Sequence, residues 1–158
     1  MPNFTIRFAQ EDDCALILSF IRQLADYEQL AHQVVATEEG LRDSLFARRQ
    51  AEVILAFEGD EAMGFALFFH NFSTFLGKAG LYLEDLFISE AHRGKGYGKA
   101  LFAYLAKIAL ERGCERLDWW CLDWNRNSID FYTRLGAVPM SDWTVYRLGT
   151  EAMKKLQK

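Results

Sequence analysis

The sequence has no long apolar run. None of its 158 residues sit in a stretch apolar enough to span a bilayer, which takes about 20 such residues in a row, so no membrane partner is expected. Residues 1–15 carry Arg7, Glu11, Asp12 and Asp13 and lack the uninterrupted apolar core of a signal peptide, so a cytoplasmic location is expected. Only two prolines occur, with no repeat and no low-complexity segment, which argues against linkers and disordered tails. Cys14, Cys114 and Cys121 form an odd set without metal-ligand spacing and read as reduced, mostly buried thiols. His32, His70 and His92 are scattered, so neither a metal site nor a Cys–His pair has support. Positive charge is not in excess either. The net charge of −4 speaks against nucleic acid as a partner and is compatible with a cationic substrate. The length fits a single domain, residues 1–158, able to bury a core.

What is present is a sequence of alternating and helical periods. Phe4 to Phe8 predicts a first strand, Glu11 to about Leu30 a helix, and Thr37 an N-cap for a second helix through Phe46. Val53–Phe57 and Met63–Phe72 predict a hairpin around the polar turn Glu58-Gly59-Asp60-Glu61. Leu81–Ile88 predicts a strand and Tyr97–Arg112 an amphipathic helix. Leu117–Leu122 follows as a strand, Asn127–Leu135 as a helix closed by Gly136, and Trp143–Leu148 as a last strand. This order gives a mixed α/β layer with helices covering a sheet.

Between the strand ending at Ile88 and the next helix lies Arg93-Gly94-Lys95-Gly96-Tyr97-Gly98. Glycines there bare the backbone at a helix N-terminus, where unpaired amides and the helix dipole favour an anion. Arg93 and Lys95 add positive charge. The loop suits a phosphate or diphosphate. It does not fit the Walker pattern, and Lys99 stands where a dinucleotide fingerprint needs its third glycine. A glycine-rich helix cap is the plainer alternative.

The spacing Arg93-x-x-Gly96-x-Gly98 resembles the acetyl-CoA diphosphate loop of the GNAT N-acetyltransferases. Downstream, Asn125 followed by Phe131-Tyr132-Thr133-Arg134-Leu135-Gly136 resembles a second motif of that family. Tyr82-Leu83-Glu84-Asp85-Leu86-Phe87-Ile88 is similar to its preceding strand. Ala25-Asp26-Tyr27-Glu28 and Phe4-Thr5-Ile6-Arg7 are similar to its spermidine/spermine (diamine) branch. The resemblance implies a mostly antiparallel central sheet flanked by helices, with splayed parallel strands at the cofactor site. It also implies acetyl-CoA as cofactor, a small amine as substrate and a homodimer. Cofactor contacts then fall on Leu86, Phe87 and Ile88, on Arg93 to Lys99 (Gly94, Lys95, Gly96, Tyr97 and Gly98 between them), and on Asn125. Asn125 also fits a helix cap, a role open to Asp123 or Asn127.

Transferring an acetyl group from a thioester to an amine poses two proton problems. An alkyl amine has a pKa of about 10.4 and must lose a proton; the leaving thiolate, near about 8.5, is best protonated as it departs. The resemblance makes Tyr132 the general acid, although by residue type alone it reads as a core tyrosine. Glu84 and Asp85 sit in an apolar run, and burying an unpaired carboxylate is costly, so at least one must face water, a cation or a cavity. Strand alternation sends them to opposite sides. By resemblance Glu84 takes the amine proton, and Asp85, Tyr27 and Glu28 line the amine site. Solvated or ion-paired carboxylates are the plainer alternative. Asp118 and Trp119 complete the candidates, since aromatic faces and carboxylates attract alkylammonium groups. The segment 138–142 before Trp143 is shorter than in the diamine enzymes, which affects the amine pocket. Polyamine, thialysine or another amino-acid amine, and protein lysine remain as acceptors. A non-catalytic acyl-CoA-binding module is the alternative of a different class.

Overall fold

The structure, a computed structural model, describes residues 3–158. These divide into two compact units, one reaching to Trp120 and one from Cys121 to Lys158.

The first unit is built on five strands in sequence order: β1 (Phe4–Phe8), β2 (Glu52–Glu58), β3 (Glu61–Ser73), β4 (Lys78–Ile88) and β5 (Leu117–Trp119). All neighbours are antiparallel except β4 and β5, which run parallel with Leu81 opposite Leu117 and Leu83 opposite Trp119. The sheet is mixed and mostly antiparallel, as expected. β5 is shorter than predicted. Its pairing stops at Leu83, while β4 continues to Ile88, so the parallel strands part company there. The β2–β3 turn forms as predicted, with Gly59 at φ +60°, a conformation that costs glycine little.

Helices cover both faces. α1 (Cys14–Tyr27) buries Ile17 and Phe20 against Val53, Leu55, Phe65 and Phe87, residues of one strand parity. α2 (Glu38–Arg42) starts at Thr37, whose Oγ1 accepts from the Gly40 amide at 3.0 Å, and runs on as a wider-wound turn over Asp43–Ala47. α3 (Tyr97–Glu111) buries Tyr97, Leu101, Phe102 and Leu105. It lies on the face that carries Phe4, whose ring stacks on Tyr97 at 5.0 Å. α1 ends three residues before the predicted limit. Gln29 takes φ +61°, and bonds from Leu30 N to Ala25 O (2.8 Å) and Gln29 N to Asp26 O (3.1 Å) close the helix in the two-bond terminating motif normally made with glycine.

The second unit contains α4 (Arg126–Arg134) and α5 (Thr150–Gln157). α4 matches the prediction and is followed by Gly136 at φ +94°. The strand predicted over Trp143–Leu148 is not formed. That stretch joins no ladder, and Trp143, Val145, Tyr146 and Leu148 are exposed. An alternating apolar pattern is not enough to make a strand without a neighbour to bond. The prediction missed α5, a short helix of mostly polar residues.

Candidate active site

The carboxylates come first, because the fold rearranges them. β4 carries a bulge: Leu67 pairs with Asp85 and Phe68 with Leu83, leaving Glu84 unpaired. Tyr82, opposite Phe69, points to the α1 face, and alternation sends Glu84 the same way. Past the bulge, Asp85 lies opposite Leu67, again on the α1 face. The expectation that Glu84 and Asp85 point to opposite sides is therefore wrong. One extra residue puts both on the same side.

Glu28, the C-cap of α1, shares that face. Burial raises its pKa, and the charge of Glu84 adds to the rise. Asp85, half-buried, is pushed up to about 7, mainly by burial and then by the charges of Glu84 and Glu28. Tyr82 is raised by burial, then by Glu84, Asp118 and Asp85. Among the described residues, no ion pair involves Glu28, Glu84 or Asp85, so the three carboxylates repel one another without a protein cation between them. Asp118, opposite Tyr82 in register, belongs to the same face but is paired with Arg116 at 3.3 Å. Trp119 does not. Its parity sends it to the α3 face, where it meets Phe102 edge-on at 4.9 Å.

The glycine loop lies between β4 and α3. Gly94 and Gly96 adopt φ +79° and +87°, and a Cβ at either position would meet open space. Gly96 is the N-cap, and the first intrahelical bond runs from the Ala100 amide to the Gly96 carbonyl at 3.1 Å. The amides of Tyr97, Gly98 and Lys99 precede that ladder and are the donors a helix N-terminus offers an anion. Lys95 and Lys99 are exposed beside them. A glycine-bared turn with cations at a helix N-terminus fits the diphosphate of coenzyme A.

Two loop side chains are placed differently from the rest. The Tyr97 ring is buried, so only its backbone faces the loop. Its pKa is raised by burial, then by the charge of Glu58 and by a hydrogen bond to it. Arg93 turns back: its Nε donates to the Ile88 carbonyl at 2.9 Å, and its guanidinium lies 4.8 Å from the Tyr27 ring centre and 5.2 Å from that of Phe87.

Sequence reasoning missed a brace on the far side of the loop. His92 is buried. Its Nδ1 is 2.8 Å from Ser89 Oγ, and its Nε2 is 3.5 Å from Glu61 and 3.9 Å from Glu58. Glu58 thus touches the residue before the loop and, through Tyr97, the residue at its end. In sequence Glu58 and Glu61 are only the polar ends of a hairpin turn, and no signal ties them to residues over thirty positions away. Gly64 was also missed. A Cβ there would lie 2.2 Å from the Phe87 carbonyl oxygen, so only glycine lets β3 approach β4 at this point.

In the second unit Asn125 is buried and caps α4, its Oδ1 accepting from the Ser128 amide at 3.3 Å. Tyr132 is half-buried on α4, its ring 5.7 Å from that of Phe131.

Comparison with known proteins gives the family. The profile described as Acetyltransferase (GNAT) family matches residues 19–137. The chain is 37% identical to thialysine N-epsilon-acetyltransferase of Bos taurus, covering 99% of this chain and 98% of that protein. It is 32% identical to L-ornithine N5-acetyltransferase NATA1 of Arabidopsis thaliana, covering 97% and 87%. Among solved structures, an integron cassette protein from the mobile metagenome of V. cholerae superposes with a TM-score of 0.83 at 29% identity, covering 100% of this chain and 99% of that one. The fold is that of an N-acetyltransferase. The chain belongs to the GNAT family, whose members generally use acetyl-CoA.

Proposed function

We propose that this protein moves the acetyl group of acetyl-CoA to a terminal primary amine of a small polyamine or diamine, by direct attack within a ternary complex. The observation that carries this reading is the set of unpaired carboxylates, Glu28, Glu84 and Asp85, on one face beside the bulge. Mutual repulsion of this kind is relieved by a ligand bearing more than one positive charge. A second reading, an amino-acid side-chain amine such as that of thialysine, is favoured by the similarity to the thialysine and ornithine enzymes.

When bound, acetyl-CoA supplies the acetyl thioester. The amides of the 94–98 turn, with Lys95 and Lys99, hold its diphosphate, and the backbone of Leu86, Phe87 and Ile88, which has no β5 partner, receives the pantetheine arm. Asn125 adds a contact. Glu84, exposed at the bulge, takes a proton from the substrate ammonium, which frees the amine lone pair for attack on the thioester carbonyl. Asp85, Glu28 and Tyr27 hold the remaining charge of the amine, and Asp118 extends the acidic face. Trp119, on the opposite face, is left out of the amine contacts. Tyr132 donates a proton to the departing thiolate, as a phenol does at neutral pH. In this reading residues 1–158 act as one acetyltransferase domain in the cytoplasm, and the enzyme is a homodimer.

The test is a panel of spermidine, spermine, putrescine, thialysine, lysine and a lysine peptide with acetyl-CoA, following released thiol. Spermidine or spermine is expected to give the highest kcat/KM. Highest activity on thialysine selects the second reading, and background rates with every amine refute both. Tyr132→Phe should lower kcat by about 100-fold or more with coenzyme A binding intact. An unchanged rate removes Tyr132 from the mechanism.

A further inference from the structure

We propose that Arg93 is a positioning residue that couples the amine site to the cofactor loop, so that filling either site tightens the other. The inference rests on the acetyl-transfer reading above, because it takes Tyr27 as part of the amine site and the 94–98 turn as the diphosphate cradle. Its own ground is where the guanidinium lies. Arg93 begins the glycine loop, yet its side chain is drawn back by the bond from its Nε to the Ile88 carbonyl at 2.9 Å. Its plane is then shared by two rings, Tyr27 at 4.8 Å and Phe87 at 5.2 Å. One group thereby touches the last residue of α1, the end of β4 and the root of the loop.

These attachments differ in kind, which is what makes coupling follow. The Nε bond and the Phe87 contact fix Arg93 to β4, whose end is rigid: Phe87 and Ile88 are buried. The Tyr27 contact reaches the final turn of α1, where Gln29 holds a left-handed conformation and the helix gives way to a loop. A diphosphate held by the adjoining amides fixes the backbone at the loop root, from which the Arg93 side chain reaches Tyr27. That holds Tyr27 and the neighbouring Glu28 in place for the amine. By reciprocity, an amine that orders Tyr27 and Glu28 must improve cofactor affinity by the same factor. Lysine cannot substitute, because it has neither a planar face to offer two rings nor an Nε–H in that position.

The test is calorimetry of coenzyme A binding with and without saturating amine, using thialysine or spermidine, whichever the wild type acetylates. The ratio of the two dissociation constants reports the coupling. A wild-type ratio of about three- to fivefold is expected, the range an exposed cation–π contact can supply. Arg93→Lys and Tyr27→Leu should bring the ratio to about one, while Tyr27→Phe, which keeps the ring, should retain it. A variant that merely folds poorly weakens both dissociation constants and leaves their ratio alone. A wild-type ratio near one, or an undiminished ratio in Arg93→Lys and Tyr27→Leu, overturns the coupling and leaves acetyl transfer standing. Failure of the wild type to bind coenzyme A at all removes the acetyl-transfer reading and the coupling with it.

Discussion

Asp85 changes its protonation near neutrality, and the direction of its response to pH follows from the cause. Burial first, then Glu84 and Glu28, push it up to about 7. Between the ordinary carboxylate value and that point the folded chain holds a proton the unfolded chain has released, so stability falls as pH rises through this window. Asp85→Asn removes the penalty. Thermal melts should show the variant more stable than wild type by on the order of 2 kcal/mol at about pH 8, with the difference gone at about pH 4. The same residue predicts the course of catalysis. A cationic amine favours the charged carboxylate, so kcat/KM for the amine should rise through about pH 7; in Glu84→Gln, which lacks the proposed base, the corresponding limb is read from amine binding by calorimetry and should move to lower pH by loss of a like charge. A limb that stays put in Glu84→Gln counts against the shared site. At this scale the sequence was a good guide to which residue types matter and a poor one to how they face. Glu84 and Asp85 were legible as costly carboxylates in an apolar strand. Their common orientation was not, because a bulge is a property of two strands together and leaves no mark in one. For the same reason Asp118 and Trp119, adjacent in sequence and chosen together, land on opposite faces.

The end of β4 illustrates what holds the site at the level of elements. Strand, loop and helix follow one another within residues 78–111, and their periods and glycines are legible in the sequence alone. What supports them comes from elsewhere. Gly64 on β3 makes room for the Phe87 carbonyl, and Glu58 at the β2–β3 turn reaches both His92 and Tyr97. Gly64→Ala forces backbone to move where the strand meets the loop. It should destabilise the protein by about 1–3 kcal/mol in denaturant melts and raise the KM for acetyl-CoA more than that for the amine. Equal effects on both would mean that the strain spreads beyond the loop. Such supports are long-range packing facts, invisible to local periodicity. The two missed elements have a local explanation. Residues 143–148 alternate like a strand but pair with no neighbouring strand, and α5 is short, with an apolar stripe of only Ala152, Met153 and Leu156 among polar residues.

For the molecule as a whole, the second unit leaves Trp143 and Tyr146 exposed at 77% and 91%, along with Val138, Met140 and Leu156. Exposed apolar side chains of this size are of the kind a subunit contact would cover, which is the ground for testing the proposed homodimer. Sedimentation analysis should find twice the 18.2 kDa chain mass, and Trp143→Ser with Tyr146→Ser should shift the population toward the monomer. A wild type that sediments as a single chain at all concentrations would refute the dimer. Trp119 offers something different. It is packed edge-on against Phe102, on the same helix that begins with the glycine cradle. The other tryptophans, at 120, 124 and 143, are all solvent-facing. Replacing those three with phenylalanine would leave a single indole emitter seated against α3. Its fluorescence would then give an optical signal, free of added dye, for nucleotide arriving at the N-terminal end of that helix.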